Sequence, residues 1–155
     1  MLTVLSVSVV LVTVCVGIHY QALVLLSTLR QRDRLRRRSL LNLLVLGALV
    51  AHVIEVSCFS AAYAALDNWG GYGELHGVTG TAGGQTDAVS NDYWYFSFVA
   101  YTSLGFGDIT PRGSLRFMTA LETLTGLVLI AWTASFIFLE MQAMWHADER
   151  DGQMS

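Results

Sequence analysis

The sequence predicts an all-α membrane protein with three transmembrane helices and a short fourth helix that enters the membrane without crossing it. Three apolar runs, residues 1–29, 40–66 and 114–145, each exceed the roughly 18 residues that indicate a membrane span. The composition agrees, because 54% of the 155 residues are hydrophobic and the mean hydropathy is +0.51. A polar, glycine-rich stretch, residues 101–111, lies between the second and third runs. Irregular backbone is tolerated inside a bilayer only where it is buried in protein or lines a watery cavity.

The first run, residues 1–29, is predicted to be a retained transmembrane helix. It is uncharged from Leu2 to Leu29 and long enough to cross a hydrocarbon core of about 30 Å. A secretory signal peptide would need a basic start and a small-residue cleavage site, and neither is evident. Cys15 lies in this run and Cys58 in the second, where buried packing is the favoured interpretation, so neither a disulfide nor a redox compartment follows.

Residues 30–39 form a basic loop that predicts the orientation of the chain. The sequence has no lysine, and six of its nine arginines lie between Arg30 and Arg38. Short basic loops remain cytoplasmic, which places the N-terminus outside and the C-terminus inside the cell. A voltage sensor is disfavoured, because its arginines would recur every third position within an apolar helix. Anionic lipid headgroups are the plainer partner for this loop.

The second run, residues 40–66, carries a polar pair near its middle. His52 and Glu55 are three residues apart and therefore share a helix face. Ionisable groups at this depth are costly and usually face protein or water. A structural contact with a neighbouring helix, through His19 or Thr13, is the favoured interpretation. A proton-sensitive element remains the alternative.

Residues 67–90 form the long outer loop, which is rich in glycine, contains acidic residues and has no basic residue. Its charge would concentrate cations modestly, and a flexible loop would explain the composition equally well. The next segment, residues 91–113, begins with a predicted helix from Asn91 to Thr102, capped by Ser90 or Asn91. The partially negative C-terminal end of that helix would point into the membrane.

The glycine-rich stretch carries the most specific motif, Thr102-Ser103-Leu104-Gly105-Phe106-Gly107-Asp108. Glycine reaches backbone angles that are closed to other residues. With an aromatic helix before it and Pro111 after it, this string resembles the selectivity filter of the potassium-channel family, usually Thr-Val-Gly-Tyr-Gly followed by Asp. The sequence departs from that form at Ser103, Leu104 and Phe106. Ser103 keeps a hydroxyl ligand, whereas Phe106 lacks the phenolic hydroxyl that ties many such filters to the pore helix.

The resemblance implies a set of functional residues. The expected filter comprises Thr102, Ser103, Leu104, Gly105, Phe106 and Gly107, with K⁺ held at Ser103, Leu104, Gly105 and Phe106. Tyr95 and Asp108 occupy positions that often form a hydrogen bond behind the filter in that family.

The third run, residues 114–145, would line the pore, and residues 146–155 form an acidic tail. Glu122 is expected behind the filter, out of the ion path. Gly126 lies near the family's hinge glycine, although close helix packing would explain it equally well.

The resemblance therefore implies a homotetrameric potassium-selective channel subunit, with K⁺ as the transported species. No catalytic residue, cofactor or nucleic-acid partner is expected. Two alternatives remain: a weakly selective cation channel, and a non-conducting regulatory subunit that keeps the channel fold.

Overall fold

The computed structural model describes residues 1–32, 37–78 and 86–153, apart from the side chains of residues 30–38, 86–90 and 145–153. In that part of the chain, the helices are α1 (Leu2–Arg32), α2 (Arg37–Trp69), α3 (Thr86–Tyr101) and α4 (Leu115–Gln153). Three of them contain stretches long and apolar enough to cross a membrane, at Leu2–Leu29, Ser39–Trp69 and Leu115–Met144. The prediction of an all-α membrane protein with three transmembrane helices is thus confirmed.

The helix boundaries differ from the predicted ones at two places. The short helix α3 begins at Thr86, so the predicted start at Asn91 and the cap at Ser90 or Asn91 are wrong. Thr86 and Asp87 are themselves residue types that favour the start of a helix. The third transmembrane helix, α4, continues to Gln153 and includes most of the predicted acidic tail. Ala, Glu, Arg and Gln in that segment are good helix formers, which explains the extension.

The predicted lipid-binding role of Arg30–Arg38 concerns side chains that lie outside the described part of the structure. Nothing in the structure therefore tests it.

The short helix α3 packs against α2 and α4, and α1 packs against the same two helices. The shared core contains Phe59 and Tyr63 of α2, Phe96 of α3, Met118 of α4 and Cys15 of α1. At 1.5 Å per residue, the 16 residues of α3 are too short to cross a core of about 30 Å. Packing against α2 and α4, rather than its own length, positions α3.

Two very short strands, which the sequence analysis did not predict, tie the outer loop to the segment after the glycine motif. Strand β1 (Leu75–His76) pairs antiparallel with β2 (Thr110–Pro111). Gly77 follows β1 with a φ of 105°, and a Cβ built on it would lie only 2.3 Å from the Asp108 carbonyl oxygen. This part of the loop is therefore docked against the end of the motif.

Candidate functional site

The candidate filter, defined as residues 102–107, begins directly where α3 ends. The sign of φ alternates along its backbone: φ is 58° at Ser103, 57° at Gly105 and 81° at Gly107, while the residues between them have negative φ. Such alternation turns successive carbonyl groups toward one side of the chain, whereas a regular strand points them to opposite sides. A row of carbonyl oxygens on one side is the arrangement that ion filters use to replace water around a cation.

Ser103 is the unexpected member of this alternation. A non-glycine residue in the left-handed region costs roughly 1–2 kcal/mol. From the sequence, special backbone angles are expected at the glycines alone. The last turn of α3 holds the conformation, since Ser103 N donates to Ala100 O at 3.0 Å and Leu104 N donates to Val99 O at 2.9 Å. The start of the candidate filter is thus fixed by the carbonyl groups that end the helix.

The side chains of the candidate filter are largely exposed in the single chain. Leu104 is 57% exposed and Phe106 is 65% exposed. A Cβ built on Gly105 or Gly107 would meet nothing within 4 Å in the described structure. The backbone conformation, rather than crowding within one chain, is what requires glycine at these two positions.

Tyr95 and Asp108 are hydrogen-bonded beside the outer end of the candidate filter. The Tyr95 hydroxyl donates to Asp108 Oδ2 at 2.8 Å. This bond is the main cause that lowers the pKa of the Asp108 carboxyl group, and it raises the pKa of the Tyr95 hydroxyl. The bond links α3 to the residue that follows Gly107, so it can hold the outer end of the loop against the helix.

Glu122 lies behind α3, in the interior between the helices. Its side chain is fully buried, accepts a hydrogen bond from the Tyr63 hydroxyl at 2.6 Å, and contacts the Ser97 hydroxyl. Ser97 is in the middle of α3, and its hydroxyl also lies 2.9 Å from the Val56 carbonyl oxygen. These contacts join α2, α3 and α4 in the interior of the chain.

The comparisons with known proteins identify the family. A family model described as "Ion channel" matches residues 41–143, which is well over half of the chain. The chain belongs to the ion channel family. The match covers α2, α3, the candidate filter and most of α4, so α1 is an addition to the part that the channel shares with its family. Comparison with curated proteins and with solved structures finds no significant match.

Gly126 of this channel packs against the end of α3. A Cβ built on Gly126 would lie 2.1 Å from the Tyr101 carbonyl oxygen and 3.0 Å from Tyr101 Cδ1. α4 runs as one continuous helix through this position. Of the two interpretations that the sequence left open for Gly126, hinge or close packing, the structure supports close packing.

The polar pair of the channel's second helix belongs to a buried cluster of five residues: His19, His52, Glu55, Tyr101 and Thr133. Glu55 Oε1 lies 2.9 Å from His19 Nδ1, and Glu55 Oε2 lies 3.2 Å from His52 Nδ1. The Tyr101 hydroxyl donates to Glu55 Oε2. The prediction of a polar partner on a neighbouring helix is thus correct for His19.

Thr133 contacts both imidazoles of the buried cluster, which connects the cluster to α4. Its Oγ1 lies 3.0 Å from His52 Nε2 and 3.2 Å from His19 Nε2. Thr13, the other proposed partner, instead donates to the Val9 carbonyl oxygen of its own helix. The sequence contains no signal for the contacts with Tyr101 and Thr133, because they join residues that lie far apart along the chain.

Proposed function

We propose that this ion channel is potassium-selective and that its candidate filter coordinates K⁺. The observation that carries the proposal is the alternation of left-handed residues at Ser103, Gly105 and Gly107, directly after the C-terminal end of α3. The carbonyl groups of residues 103–106 and the Ser103 hydroxyl would take the place of water around the ion. The partial negative charge at the end of α3 favours a cation at the inner end of this row.

Four copies of the chain are proposed to assemble around the candidate filter. Each chain supplies one filter loop, and encircling an ion takes several such loops around one axis. Cyclic symmetry is the default for identical subunits. Neighbouring copies would also cover the exposed apolar side chains of Leu104 and Phe106. The N-terminus and outer loop are placed outside the cell, with the basic loop at residues 30–39 inside.

The Tyr95–Asp108 hydrogen bond is proposed to compensate for the missing hydroxyl at Phe106. In this channel, the filter residue that is usually Tyr cannot donate a hydrogen bond to its helix. The bond between Tyr95 and Asp108 ties the loop to α3 one residue beyond Gly107. Selectivity for K⁺ over Na⁺ then depends on that outer attachment, and its loss would favour the weakly selective alternative.

The proposal is tested by reconstituting the purified protein in liposomes or planar bilayers and measuring the reversal potential between K⁺ and Na⁺ solutions. A reversal potential close to the K⁺ equilibrium value is expected. Equal permeability to the two ions would support a weakly selective cation channel instead. The absence of flux from a correctly assembled tetramer would support a non-conducting regulatory subunit.

Gly105→Ala, with Gly71→Ala as its control, connects that measurement to the candidate filter. Both glycines have positive φ, 57° and 79°, and at both an added Cβ meets nothing within 4 Å of the same chain. Both alanines are therefore strained to a similar degree. We expect Gly105→Ala to abolish K⁺-selective current in an assembled tetramer and Gly71→Ala, in the outer loop, to retain it. Selective current in Gly105→Ala would show that the ion path lies elsewhere.

A further inference from the structure

The buried cluster contains three side chains that are common metal ligands. His19 and Glu55 have no exposed side-chain surface, and the side chain of His52 is 14% exposed. One ligand atom from each of these three residues lies within 4.8 Å of the other two. Ionisable groups at this depth in a membrane are costly and commonly mark functional sites. The charge of these three side chains must therefore be balanced within the cluster.

Six contacts join the five residues of the buried cluster. Glu55 Oε1 contacts His19 Nδ1, and Glu55 Oε2 contacts both His52 Nδ1 and the Tyr101 hydroxyl. His52 Nδ1 also lies 2.9 Å from the Tyr101 hydroxyl. The remaining two contacts join Thr133 Oγ1 to the Nε2 atoms of the two imidazoles. In each histidine, Nδ1 faces the carboxylate and Nε2 faces Thr133.

With Glu55 ionised and both histidines neutral, the cluster lacks one hydrogen for its contacts, and either an added proton or a bound metal ion would supply what is missing. A neutral imidazole carries a single N–H, and a hydroxyl has a single hydrogen to donate. If both histidines place their hydrogen on Nδ1, both bare Nε2 atoms need the one hydrogen of Thr133. If His19 carries its hydrogen on Nε2, its bare Nδ1 faces Glu55 Oε1, which has no hydrogen to donate. If His52 carries its hydrogen on Nε2, its bare Nδ1, Glu55 Oε2 and the Tyr101 hydroxyl oxygen share only the one hydrogen of Tyr101. With an ionised Glu55 and two neutral histidines, at least one contact therefore always joins two lone pairs.

A metal ion removes this conflict in one step. Both histidines can then donate Nε2–H to the two lone pairs of Thr133 Oγ1, which leaves both Nδ1 atoms and the carboxylate free to bind the metal. Hydrogen bonds from the second nitrogen of a ligating histidine orient the ligand and strengthen binding. Tyr101 would play the same part for the carboxylate, since its hydroxyl donates to Glu55. Both nitrogens of each imidazole and the carboxylate of Glu55 then have partners.

We propose that His19 Nδ1, His52 Nδ1 and the Glu55 carboxylate form a binding site for one divalent transition-metal ion of the zinc type. Imidazole and carboxylate are ligands that suit Zn²⁺ and its neighbours in the first transition row. Metal–ligand bonds of 2.0–2.1 Å in a tetrahedral site separate ligand atoms by about 3.3 Å. The observed nitrogen–oxygen separations of 2.9 and 3.2 Å would open by a few tenths of an ångström, and all three ligand atoms already lie within 4.8 Å of one another.

Charge and access are both compatible with such a site. Glu55 offsets one of the two positive charges, and the cluster contacts Tyr101, the last residue of α3, where the helix end carries partial negative charge. A cavity of about 460 Å³ between α2, the end of α3 and α4 is lined in part by His52, Tyr101 and Thr133. This cavity leads to the most exposed ligand, His52, and leaves room for a water molecule as the fourth ligand.

The test uses Co²⁺ as a spectroscopic substitute for Zn²⁺ on the full-length protein in detergent, after chelator treatment. We expect one Co²⁺ per chain and the visible absorption bands of a four-coordinate nitrogen–oxygen site. Metal content is also measured on protein from cells grown with added Zn²⁺. The site can then fill while the protein folds, so slow entry of added metal into the finished protein does not produce a false negative result. Neither readout requires ion flux, so a failure here is distinguishable from a failure of the proposed channel function.

Variants separate a metal site from a structural cluster. Glu55→Gln and His52→Ala should each abolish the bands, and either variant suffices if the other does not fold. The matched control is His76→Ala, which removes an exposed histidine of β1 and should keep them. Thr133→Val should keep the bands and weaken binding roughly 10–100-fold, because it removes only the outer hydrogen bonds.

Two results would overturn the proposal. The first is folded wild-type protein with neither Co²⁺ bands nor bound zinc, which would mean that the cluster holds a proton only. The second is Glu55→Gln protein that binds the metal as tightly as the wild type does.

Discussion

Gly126→Ala separates the two interpretations of this glycine, because they predict opposite changes in stability. An added Cβ would lie 2.1 Å from the Tyr101 carbonyl oxygen. An ordinary carbon–oxygen contact is about 3.3 Å, so α4 and the end of α3 must separate by roughly 1.2 Å. The end of α3 cannot move freely, since Thr123 Oγ1 donates to the Ala100 carbonyl oxygen at 2.8 Å and the Tyr101 hydroxyl donates to Glu55.

The size of the effect follows from two opposing contributions. Overpacking a well-packed contact costs about 1–3 kcal/mol, and an overlap of this size with a backbone oxygen belongs to the upper part of that range, about 2–3 kcal/mol. Replacing glycine with alanine inside a helix returns about 1 kcal/mol. We therefore expect Gly126→Ala to lower the free energy of unfolding by about 1–2 kcal/mol. A glycine that acts only as a hinge would give the opposite sign, because alanine would then contribute its helix propensity without a clash.

Gly17→Ala is the matched control, because it makes the same substitution inside another long helix. A Cβ built on Gly17 meets nothing within 4 Å of the described structure, so this variant should gain about 1 kcal/mol. The two variants should therefore differ by about 2–3 kcal/mol, which is roughly 4–12 °C in the midpoint of thermal unfolding for a chain of this size. The assay is thermal unfolding in one detergent at one scan rate, because membrane proteins often unfold irreversibly. A midpoint for Gly126→Ala at or above that of the wild type would refute the packing argument.

Two further predictions concern the outer end of the candidate filter. Gly77→Ala would place a Cβ 2.3 Å from the Asp108 carbonyl oxygen, so we expect reduced K⁺ selectivity in reversal-potential measurements. The control is Gly70→Ala, which has a φ of 69° and no atom within 4 Å of its Cβ, and it should behave as the wild type. Tyr95→Phe removes the main cause of the lowered Asp108 pKa, so that pKa should rise towards its ordinary value near 4. The Tyr95–Asp108 bond is strongest while the carboxylate is ionised and weakens as pH falls through the Asp108 pKa, so the wild type should lose K⁺ selectivity at acid external pH. Tyr95→Phe lacks the bond at every pH, so its selectivity should already be reduced at neutral pH and should not fall further on acidification. A pH profile in that variant equal to that of the wild type would contradict the role given to the hydrogen bond.

The long helices could be predicted from the sequence because each is a continuous apolar run. The boundaries of α3 could not, since the segment from Thr86 to Asn91 is polar and resembles the loop before it. Strands β1 and β2 are two residues each, too short for any alternation of polar and apolar residues to appear. Glycine content suggested flexibility in the outer loop, whereas the structure uses Gly77 to bring two backbone segments together. Composition cannot distinguish these two uses of glycine.

The candidate site was predictable only where a local motif marks it. The glycine pattern marked the filter, and the resemblance that it carries pointed to Tyr95 and Asp108, which are indeed hydrogen-bonded. The contact between His52 and Thr133 joins residues 81 positions apart, so no local spacing can reveal it. The left-handed conformation of Ser103 was also missed, because the hydrogen bonds that hold it come from the preceding helix end rather than from the residue type.

Two buried carboxylates, one on α4 and one on α2, make polar contacts with α3. Glu122 contacts Ser97, and Glu55 accepts a hydrogen bond from Tyr101, one helical turn further along the same face of α3. The length of its apolar run fixes how deeply a transmembrane helix sits in the membrane. Helix α3 is too short to cross, so its own length does not fix its depth. Hydrogen bonds in a low-dielectric interior are strong, and leaving one buried partner unpaired costs about 1–3 kcal/mol. The depth of α3, and with it the depth of residues 102–107, therefore depends on its packing against α2 and α4, within which these two polar contacts are specific, rather than on hydrophobic length.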